Sequence, residues 1–436
     1  EIINRKTFFE LPITKPIKKS SHLKVDEIIL GLDGNLRKAV HDQMISDAPL
    51  GAFLSGGLDS TSIVAFAKEI DPNITCFTID AQSSANSISK EDDLPFAKAA
   101  ADYLNVPLEI IKVDPDSIVR NLEKMVWMLD EPLGDPAPLN VLYISEFAKK
   151  NDIKVLLSGA GGDDILTGYR RHQAILYDNR IQMIPKCMLS KIEKLTGNLD
   201  KRVTFFRRLA KLFNGSSLNG DQRIINYFKW IDQQSLYSLY SKDFQNEMAN
   251  DLAEQPMIDF LETAHKDSSD LDRMLSLEQR FFTTDHNLLY TDKMSMATGV
   301  EVRVPLLAKN LVEFAATIPD NIKQRSGEGK WIFKKTMESY LPKEIIYRPK
   351  SGFGAPLRDW LRFELKEYVQ DLLSYQSLSS RGIFNPGKVH TLIQDDSSGK
   401  IDASYTIFSL ICIEIWCRQN LDLIDKNSHN FSSRSI

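Results

Sequence analysis

The sequence predicts an α/β fold in which a parallel sheet with helices on both faces precedes a large C-terminal helical extension. Over the first 175 residues, short apolar runs alternate with amphipathic stretches, as strands and helices do in such a sheet. The strand-like runs are continuously apolar rather than alternating, which is typical of strands buried on both faces. After about Arg171 the strand signals fade, and apolar residues recur at helical spacing as far as Trp416.

Four strands and four helices are predicted in the sheet-forming region. The strand predictions rest on β-branched, aromatic and aliphatic runs at 48–54, 74–79, 107–113 and 153–157. The helix predictions rest on amphipathic spacing at 59–70, 92–104, 116–129 and 139–149. We divide the chain into a linker remnant (1–24), an α/β core (25–175) and a helical extension (176–436). Because the chain begins with Glu1 rather than Met, we expect it to be part of a longer product.

The composition argues against nucleic-acid-binding and membrane proteins. A net charge of −5 and a pI of about 5.9 give no electrostatic case for nucleic acid or an anionic membrane as a partner. No apolar run approaches the length of a membrane span. The four cysteines form no C-x-x-C pair, so we expect mostly buried, reduced thiols in a cytoplasmic protein.

The first predicted strand runs into a loop with the sequence Ser55-Gly56-Gly57-Leu58-Asp59-Ser60, and a helix follows. The two glycines allow a tight turn and close approach of a ligand to the backbone. Successive N–H groups at a helix N-terminus then form an anion site, beside which Asp59 is placed to hold a phosphate-bound cation. The alternative is a tight turn in which Asp59 and Ser60 cap the helix. Neither a Walker A loop nor a G-x-G-x-x-G fingerprint is present.

A second strand also ends in a serine–glycine loop with carboxylates behind it, at residues 158–164 (SGAGGDD). Loops at the carboxyl ends of strands in one parallel sheet face one crevice. Asp59 and Asp163 would then share one Mg²⁺ on a triphosphate, because Mg²⁺ in proteins is commonly bound by one or two carboxylates with phosphates and waters. The alternative is two unrelated turns with solvated aspartates.

These motifs carry a family resemblance. The loop at 55–60 resembles the pyrophosphate loop of N-type ATP pyrophosphatases. Together with the loop at 158–164 and the segment 299–305 (GVEVRVP), it resembles the synthetase domain of glutamine-dependent asparagine synthetase B. Further matches are the segments 130–132 (DEP), 292–296 (DKMSM), 330–334 (KWIFK), 341–342 (LP) and 348–350 (RPK). The resemblance covers roughly residues 25–420 and implies an adenine-nucleotide α-hydrolase-like core, with the helical extension completing the active site.

The resemblance also implies β-aspartyl-AMP chemistry with ATP and Mg²⁺, in an AMP-forming amidotransferase of asparagine biosynthesis. It implies that the phosphates leaving as pyrophosphate are held by Ser55, Gly56, Gly57, Asp59 and Ser60. It places Phe53 or Leu54 beside the AMP part, with Ile79, Ser158 and Gly159. Asp59 and Asp163 would be the Mg²⁺ carboxylates. Lys350 would neutralise phosphate charge during adenylation, and Lys330 would be a second cation near the phosphates.

Three positions depart from the family pattern, which usually has an acidic residue at 160 and 308 and a cation at 290. Here they are Ala160, Ala308 and Tyr290. Alanine can neither hold an ammonium nor move a proton, so free aspartate as the substrate is in doubt. The run Tyr169-Arg170-Arg171-His172 either faces an anionic substrate or carries ordinary helix-surface charges. Glu301 and Arg303 either form a buried pair that orients the loops or touch substrate.

The nitrogen donor stays open. Glutamine-dependent members of the family carry an N-terminal glutaminase with a terminal cysteine nucleophile, and no such domain is visible in this sequence. We expect a small-molecule carboxylate and ammonia as partners, with a homodimer as one option. The leading hypothesis is therefore an ATP-dependent amide-forming ligase. The alternatives are an intramolecular amide-forming cyclase, similar to β-lactam synthetases or lasso-peptide cyclases, and a degenerate nucleotide-binding paralogue without turnover.

Overall fold

A computed structural model describes residues 6–81, 93–113, 115–197, 199, 204–248, 252–349 and 357–422. The helices are α1 Val25–Gln43, α2 Leu58–Ala67, α3 Leu94–Leu104, α4 Pro115–Leu129, α5 Ala137–Lys150, α6 Gly162–Leu166, α7 Arg170–Ile181, α8 Lys186–Gly197, α9 Thr204–Phe213, α10 Gly220–Asn226, α11 Gln233–Leu239, α12 Lys242–Glu247, α13 Gln255–Glu262, α14 Asp270–Leu277, α15 Leu289–Met296, α16 Lys309–Thr317, α17 Asp320–Lys323, α18 Trp331–Met337, α19 Lys343–Ile346, α20 Leu357–Arg362, α21 Lys366–Leu372, α22 Tyr375–Arg381, α23 Pro386–Ser397 and α24 Ser404–Asn420. A π-helical segment, Glu278–Leu288, joins α14 to α15, and 3₁₀ turns lie at Pro12–Thr14 and Pro305–Leu307. Within the described ranges, no helix is both long and apolar enough to cross a membrane.

Five parallel strands form one sheet. The strands are β1 Leu50–Phe53, β2 Thr75–Ala81, β3 Leu108–Val113, β4 Val155–Leu157 and β5 Glu301–Arg303. Their spatial order is β3-β2-β1-β4-β5, and every neighbouring pair is parallel. Strand β1 is therefore central, with β2 and β3 on one side and β4 and β5 on the other. The chain leaves β1 toward β2 on one side and β4 lies on the other, so β1 and β4 flank the point where the strand order reverses.

The predicted α/β fold class is confirmed, and the four predicted strands overlap β1 to β4. The predicted helices overlap α2 to α5, and the region after Arg171 is mainly helical as expected. Three elements were not predicted, and one of them is the short helix α6 after β4. Helix α1 precedes the first strand, and β5 adds a strand from within the extension, where no strand was expected. The β5 sequence is only three residues long and includes two charged residues, so it lacks the continuous apolar run on which the other strand predictions rested.

Apolar side chains fill both faces of the sheet. On one face, buried residues of α4, α5 and α24 surround Phe77 and Leu156. On the other, buried residues of α1, α2, α16 and α18 surround Ala52 and Leu157. Because β1 and β4 are covered on both sides, their carboxyl ends are held in fixed positions, and the loops that follow them inherit that rigidity.

The segment before α1, predicted to be a linker remnant, lies against the body of the protein from residue 6 onward. Ile13 is buried, and its carbonyl accepts a hydrogen bond from the His265 backbone N–H at 2.8 Å. The Lys19 ammonium lies 2.6 Å from Asp272 Oδ1 and 3.3 Å from Asp320 Oδ1. These contacts fix the segment against α14 and α17.

Three of the cysteines fit the prediction of buried thiols, and one does not. Cys76, Cys412 and Cys417 are buried, whereas Cys187 on α8 is exposed. Burial raises the pKa of the Cys76 thiol to about 12, so this thiol stays protonated and unreactive at neutral pH.

Candidate active site

The two serine–glycine loops lie side by side at one edge of the sheet. Strands β1 and β4 pair directly, with Ala52 opposite Leu157, so the loops that follow them emerge next to each other. A Cβ atom on Gly159 in the second loop would lie 2.6 Å from the backbone nitrogen of Ser60 in the first helix. The loops are therefore in contact, and glycine is required there because any side chain would displace the N-terminus of α2.

The first loop turns at Gly56, whose φ is +67°. A Cβ on Gly56 would lie 2.2 Å from the backbone carbonyl carbon of Phe96, so both the backbone angle and the space require glycine. The Ser55 backbone N–H donates to the Ser60 hydroxyl at 3.2 Å, and the hydroxyl oxygens of these two serines lie 3.1 Å apart. These bonds hold the loop over the start of α2, with Asp59 in the first helical turn.

The second loop has the same construction on β4. Its turn is at Gly161, whose φ is +89°. The Ser158 N–H donates to the carbonyl of Arg303 in β5 at 2.8 Å, and the Ala160 N–H donates to the Ser158 hydroxyl at 3.2 Å. Helix α6 follows at once and carries Asp163 in its first turn. Each loop thus ends in a helix whose first turn presents one aspartate to the same crevice.

Lys330 bridges the two aspartates. Its Nζ atom lies 2.7 Å and 2.5 Å from the two carboxylate oxygens of Asp59, and 2.7 Å from Oδ1 of Asp163. Only 9% of the Lys330 side chain is exposed, against 21% for Asp59 and 17% for Asp163. Burial alone would lower the pKa of Lys330, but the Asp163 and Asp59 carboxylates together raise it well above its ordinary value. The lysine is therefore a fixed cation between two fixed carboxylates.

The backbone around Lys330 is shaped to aim its side chain inward. Lys330 itself has a left-handed φ of +55°, and its N–H donates to the Thr167 hydroxyl at 3.0 Å. A Cβ on Gly168 would lie 1.6 Å from Asp163 Oδ1 and 2.7 Å from the Lys330 Cε atom. The chain after α6 therefore packs directly against the pair, and only glycine leaves room for it.

The same two carboxylates fit a divalent cation. Both reach one positively charged atom at hydrogen-bond distance, and this convergence is what a shared metal requires. Among the described residues, no group of three or more His, Cys, Asp or Glu is arranged to hold a metal by itself. Mg²⁺ is usually bound by one or two carboxylates together with phosphate oxygens and water molecules. It is rarely enclosed by protein ligands alone. The structure thus brings the predicted ligands Asp59 and Asp163 together.

The other predicted site residues around the loops differ in how far they are buried. Leu54 is buried and its backbone N–H donates to the Phe77 carbonyl at 2.9 Å, so its side chain belongs to the core. Phe53, the last residue of β1, and Ile79 in β2 are half-buried and pack against the core. Lys350 lies outside the described residues.

Arg348 is a residue beside the first loop to which the sequence analysis assigned no role. Its guanidinium donates to the Ser55 carbonyl at 3.1 Å, lies 2.5 Å from Asp93 Oδ1 and stacks over the Phe96 ring at 4.1 Å. Only 6% of its side chain is exposed. Arg348 therefore anchors the chain that leads to Lys350 onto the first loop. In the sequence, Arg348 is marked only by its place in the Arg-Pro-Lys segment, which contributes to the family resemblance.

Arg171 and His172 point to Glu278 inside the protein, so both alternatives for residues 169–172, an anionic substrate and ordinary helix-surface charges, are wrong for these two residues. The Glu278 side chain, fully buried, receives a hydrogen bond from Arg171 Nη2 at 2.6 Å and lies 3.0 Å from His172 Nε2. The Gly168 N–H donates to His172 Nδ1 at 3.1 Å, which makes Nε2 the donor to Glu278. Burial alone would raise the pKa of Glu278, but His172 and Arg171 lower it. The cluster is an internal charge pair rather than a ligand site.

A second, partly buried polar pair lies beside Tyr290, one of the three positions that depart from the family pattern. His286 Nε2 lies 3.0 Å from Asp135 Oδ2, and the His286 ring stacks edge-on against buried Tyr290 at 5.4 Å. Burial raises the pKa of Asp135 and lowers the pKa of His286. Asp164 is also buried, and burial followed by the charges of Glu278 and Asp163 raises its pKa to about 7. The π-helical segment supplies both Glu278 and His286.

Glu301 and Arg303 form the expected pair, but the pair is not buried. Arg303 Nε lies 2.8 Å from Glu301 Oε1, and the Glu301 side chain is 55% exposed. The Arg303 guanidinium also donates to the carbonyls of Gln43 and Ile45, at 2.8 Å and 2.7 Å. The arginine therefore ties β5 to the end of α1 and does not point into the crevice between the loops.

A family model and several relatives match this chain. The family model described as asparagine synthase matches residues 31–418. Asparagine synthetase (glutamine-hydrolyzing) 1 of Bacillus subtilis is 28% identical over 424 residues, which are 96% of this chain and 63% of that protein. A putative asparagine synthetase of Mycobacterium bovis is 26% identical and covers 94% of this chain and 59% of its own length. A Penicillium rubens protein named amidase chyE is 23% identical over 82% of this chain and 56% of its own. The chain thus spans about three fifths of the length of these relatives.

Two solved structures also align. An ammonia-dependent NAD synthetase of Campylobacter jejuni covers 45% of this chain and 98% of its own, at 15% identity and a TM-score of 0.23. An NMN synthetase of Francisella tularensis covers 59% of this chain and 94% of its own, at 15% identity and a TM-score of 0.25. These TM-scores are too low to support an argument about this chain.

Proposed function

The chain belongs to the asparagine synthase family, and on that premise we propose that it is an ATP-dependent ligase that adenylates a carboxylic acid and then forms an amide. The observation that carries the proposal is the convergence of Asp59 and Asp163 on one cationic atom, Lys330 Nζ, between two glycine loops. With a divalent cation held by the two carboxylates, a site of this kind would present positive charge and N–H donors where a leaving diphosphate accumulates negative charge.

In the first step, an oxygen of the substrate carboxylate attacks the α-phosphorus of ATP. A P–O bond forms, the bond from the α-phosphorus to the bridging oxygen breaks, and pyrophosphate leaves with that electron pair. The products are an acyl-AMP and pyrophosphate. No proton transfer is required, so the barrier is governed by charge at the phosphates and by alignment of the carboxylate with the leaving group.

The residues of the loops would act on that charge. The backbone N–H groups after Ser55 and Ser158 and the Ser60 hydroxyl would donate to phosphate oxygens at the N-termini of α2 and α6. Asp59 and Asp163 would hold Mg²⁺, which when bound shields the charge of the leaving pyrophosphate. Lys330 would keep the two carboxylates converged and supply positive charge beside the phosphates. Lys350 stays a proposed further cation, carried on the chain that Arg348 anchors.

In the second step, the lone pair of a nitrogen nucleophile attacks the acyl carbon. A C–N bond forms, the C–O bond to AMP breaks, and the nitrogen loses a proton. We propose ammonia as the nucleophile, supplied by a glutaminase domain or from solution. Ala160 offers no carboxylate to hold an ammonium, and AMP phosphate oxygens or a basic group of the substrate would accept the proton instead. The identity of the acid follows from neither loop.

ATP–pyrophosphate exchange tests the first step. Purified protein is incubated with ATP, Mg²⁺ and labelled pyrophosphate across a panel of aspartate, uronic acids and other carboxylates, and the label entering ATP is counted. Exchange that depends on one acid supports the proposal. Nucleotide binding without exchange for any acid would favour a paralogue that binds ATP and turns nothing over.

Mass spectrometry of the product tests the second step. Replacement of a carboxylate oxygen by an NH group, seen only when ammonia is present, identifies amide formation from ammonia. Loss of water from the acid without incorporation of nitrogen would instead identify an intramolecular cyclase. The two outcomes differ in both mass and ammonia dependence, so a single time course with and without ammonia separates them.

The metal has its own test, which does not use turnover. Replacing Lys330 by glutamine leaves Asp59 and Asp163 facing each other without their ammonium, and like charges at this distance are destabilising. The thermal midpoint of Lys330→Gln is expected to fall in EDTA and to recover in millimolar Mg²⁺ more than the midpoint of the wild-type protein rises. Equal Mg²⁺ responses in both proteins would contradict a shared metal site.

A further inference from the structure

Thr167 has a backbone conformation that a threonine rarely adopts. Its φ and ψ angles are +67° and 143°, close to a region that glycine alone occupies without strain. A β-branched side chain makes a positive φ still less favourable, so such a conformation persists only where the surrounding structure holds it. Thr167 is fully buried and directly follows α6, the helix that carries Asp163. Because backbone strain is concentrated at active sites, the bonds of this side chain are candidates for a functional role.

The Thr167 hydroxyl joins the two ends of a hairpin loop between α17 and α18. It accepts a hydrogen bond from the Lys330 N–H at 3.0 Å and donates one to the Lys323 carbonyl at 3.4 Å. Between these two residues the chain reverses in a tight turn, where the backbone groups of Arg325 and Glu328 bond to each other at 3.1 Å and 2.9 Å. A hydroxyl is both a donor and an acceptor, so this single group satisfies a backbone group at each end of the hairpin.

The Lys323 end of this hairpin is fixed to the body of the protein by a second set of contacts. The Lys323 side chain is buried, and its Nζ atom lies 3.8 Å from Asp272 Oδ1. Asp272 is also paired with Lys19 of the segment before α1, at 2.6 Å. Because these contacts hold the first end of the hairpin, the Thr167 hydroxyl determines where the other end, Lys330, lies.

The Lys330 end of the hairpin packs directly on Thr167 and the residue after it. A Cβ atom on Gly329 would lie 3.7 Å from the Gly168 Cα atom and 3.8 Å from Thr167 Oγ1. Lys330 is buried, so its N–H would have no solvent to bond if the hydroxyl were removed. On its other side, the Lys330 carbonyl accepts a hydrogen bond from the Lys334 N–H of α18 at 2.8 Å. The Lys330 backbone is therefore held between the Thr167 hydroxyl and α18.

We propose that Thr167 is a positioning residue for adenylation, whose hydroxyl holds Lys330 in the left-handed conformation that places its ammonium between the two loop carboxylates. Its effect on catalysis rests on the proposed function, whereas its effect on the position of Lys330 does not. Glycine would adopt the angles at position 167 without strain, but it has no hydroxyl to hold Lys330. The strained threonine is explained if the hydroxyl is what the site requires there.

The position of Lys330 is tested by thermal unfolding in EDTA, without substrates or turnover. Thr167→Val replaces the hydroxyl by a methyl group of similar size, so the Lys330 ammonium is expected to lose its place between the carboxylates and the thermal midpoint to fall. In the Lys330→Gln background there is no ammonium to misplace, and the same substitution is expected to lower the midpoint less than about half as far. Equal falls in the two backgrounds would mean that Thr167 supports the backbone alone, and would overturn the proposal. Thr167→Ala removes the hydroxyl with less bulk and provides a second variant for the same comparison.

ATP–pyrophosphate exchange measures the effect of Thr167 on catalysis. The kcat of Thr167→Val is expected to fall about 100-fold while the KM for ATP changes by less than about threefold, because the charge beside the leaving pyrophosphate is displaced. Thr167→Ser keeps the hydroxyl and is expected to stay within about threefold of wild type. The matched control is Thr336→Val on α18, where the buried hydroxyl bonds to its own helix at 2.9 Å, and full exchange is expected.

The order of the two Thr167 variants decides between the hydroxyl and the shape of the side chain. An active Thr167→Val with a slow Thr167→Ser would show that shape alone matters, and would overturn the proposal. If no carboxylic acid supports exchange in the wild-type protein, the proposed ligase function fails. The thermal comparison in EDTA still determines whether Thr167 positions Lys330, so the two failures are distinguishable.

Discussion

Charged side chains serve opposite purposes at the two glycine loops and in the buried cluster around Glu278. At the glycine loops, one cation, Lys330, faces two carboxylates, Asp59 and Asp163, so one negative charge remains for a further cation. In the helical extension, Glu278 is buried and its two partners leave it no capacity for a ligand. Proximity of a charged residue to an active site therefore does not make it a ligand residue. What decides is whether its charge is already satisfied inside the protein.

The largest difference between the loops and the Glu278 cluster is expected when one carboxylate is removed at the loops. Asp59→Asn and Asp163→Asn keep the side-chain volume but weaken the hold on a phosphate-bound cation, so exchange is expected to fall by at least about 1,000-fold. Circular dichroism and the thermal midpoint are expected to remain within a few degrees of wild type. Asp102→Asn, on the exposed surface of α3, is the matched control and is expected to retain full exchange. Near-normal turnover of Asp59→Asn would remove this residue from the proposed metal site.

The opposite behaviour is expected at Glu278. Glu278→Gln leaves the Arg171 guanidinium mostly buried beside a neutral amide, and breaking such a pair costs about 3–5 kcal/mol of unfolding free energy. Urea unfolding at pH 7 measures this loss, while exchange per folded molecule is expected to stay within about threefold of wild type because Glu278 contacts no reacting group. Loss of exchange with unchanged stability would contradict the contrast between the regions.

The pH dependence of that loss has a defined sign. His172 and Arg171 hold the pKa of Glu278 below its ordinary value in the folded protein. A carboxyl group with a depressed folded pKa contributes stability above its unfolded pKa of about 4.3, and the contribution disappears as the pH falls through the lower folded value. The difference between wild type and Glu278→Gln is therefore expected to be constant from pH 6 to 8 and to shrink below about pH 4. The double variant Arg171→Met/Glu278→Leu, which removes both charges, is expected to recover part of the stability.

The loops could be predicted from the sequence because their signals are local. Each strand, turn and following helix occupies a short contiguous stretch, and Ser55–Ser60 and Ser158–Asp164 carry their own glycines and carboxylates. The Arg171–Glu278 bond joins residues separated by 107 positions, and the Lys330–Asp59 bond spans 271. No periodicity specifies such pairs, because they depend on how the extension packs on the sheet. The family resemblance placed Lys330 near the phosphates but did not indicate that it bridges both aspartates.

At the first loop, a smaller effect on stability distinguishes the cost of a left-handed φ angle from the cost of a steric clash. Gly56 and Gly382 both have left-handed φ angles, +67° and +75°, but only at Gly56 would a Cβ meet backbone, 2.2 Å from Phe96. Gly382→Ala is expected to cost about 1 kcal/mol of unfolding free energy, from φ alone. Gly56→Ala adds the clash and is expected to cost about 2 kcal/mol or more, with loss of exchange because the loop shifts. Equal costs would indicate that the first loop is free to move.

The smallest effect is expected from labelling the thiols, which report on both regions at once. Cys76 lies in β2 beneath the loops and Cys412 lies in α24, and burial raises the pKa of both thiols; the charge of Asp135 adds to the effect at Cys412. Cys187 on α8 is exposed. A neutral maleimide at pH 7 is therefore expected to modify Cys187 within minutes and the other three only after denaturation, as counted by intact mass. Exchange is expected to change by less than about twofold, since α8 supplies no loop residue. Rapid labelling of Cys412 with Cys76 still protected would mean that the helical extension opens independently of the sheet, and its buried charge pairs would then be transiently available to a ligand after all.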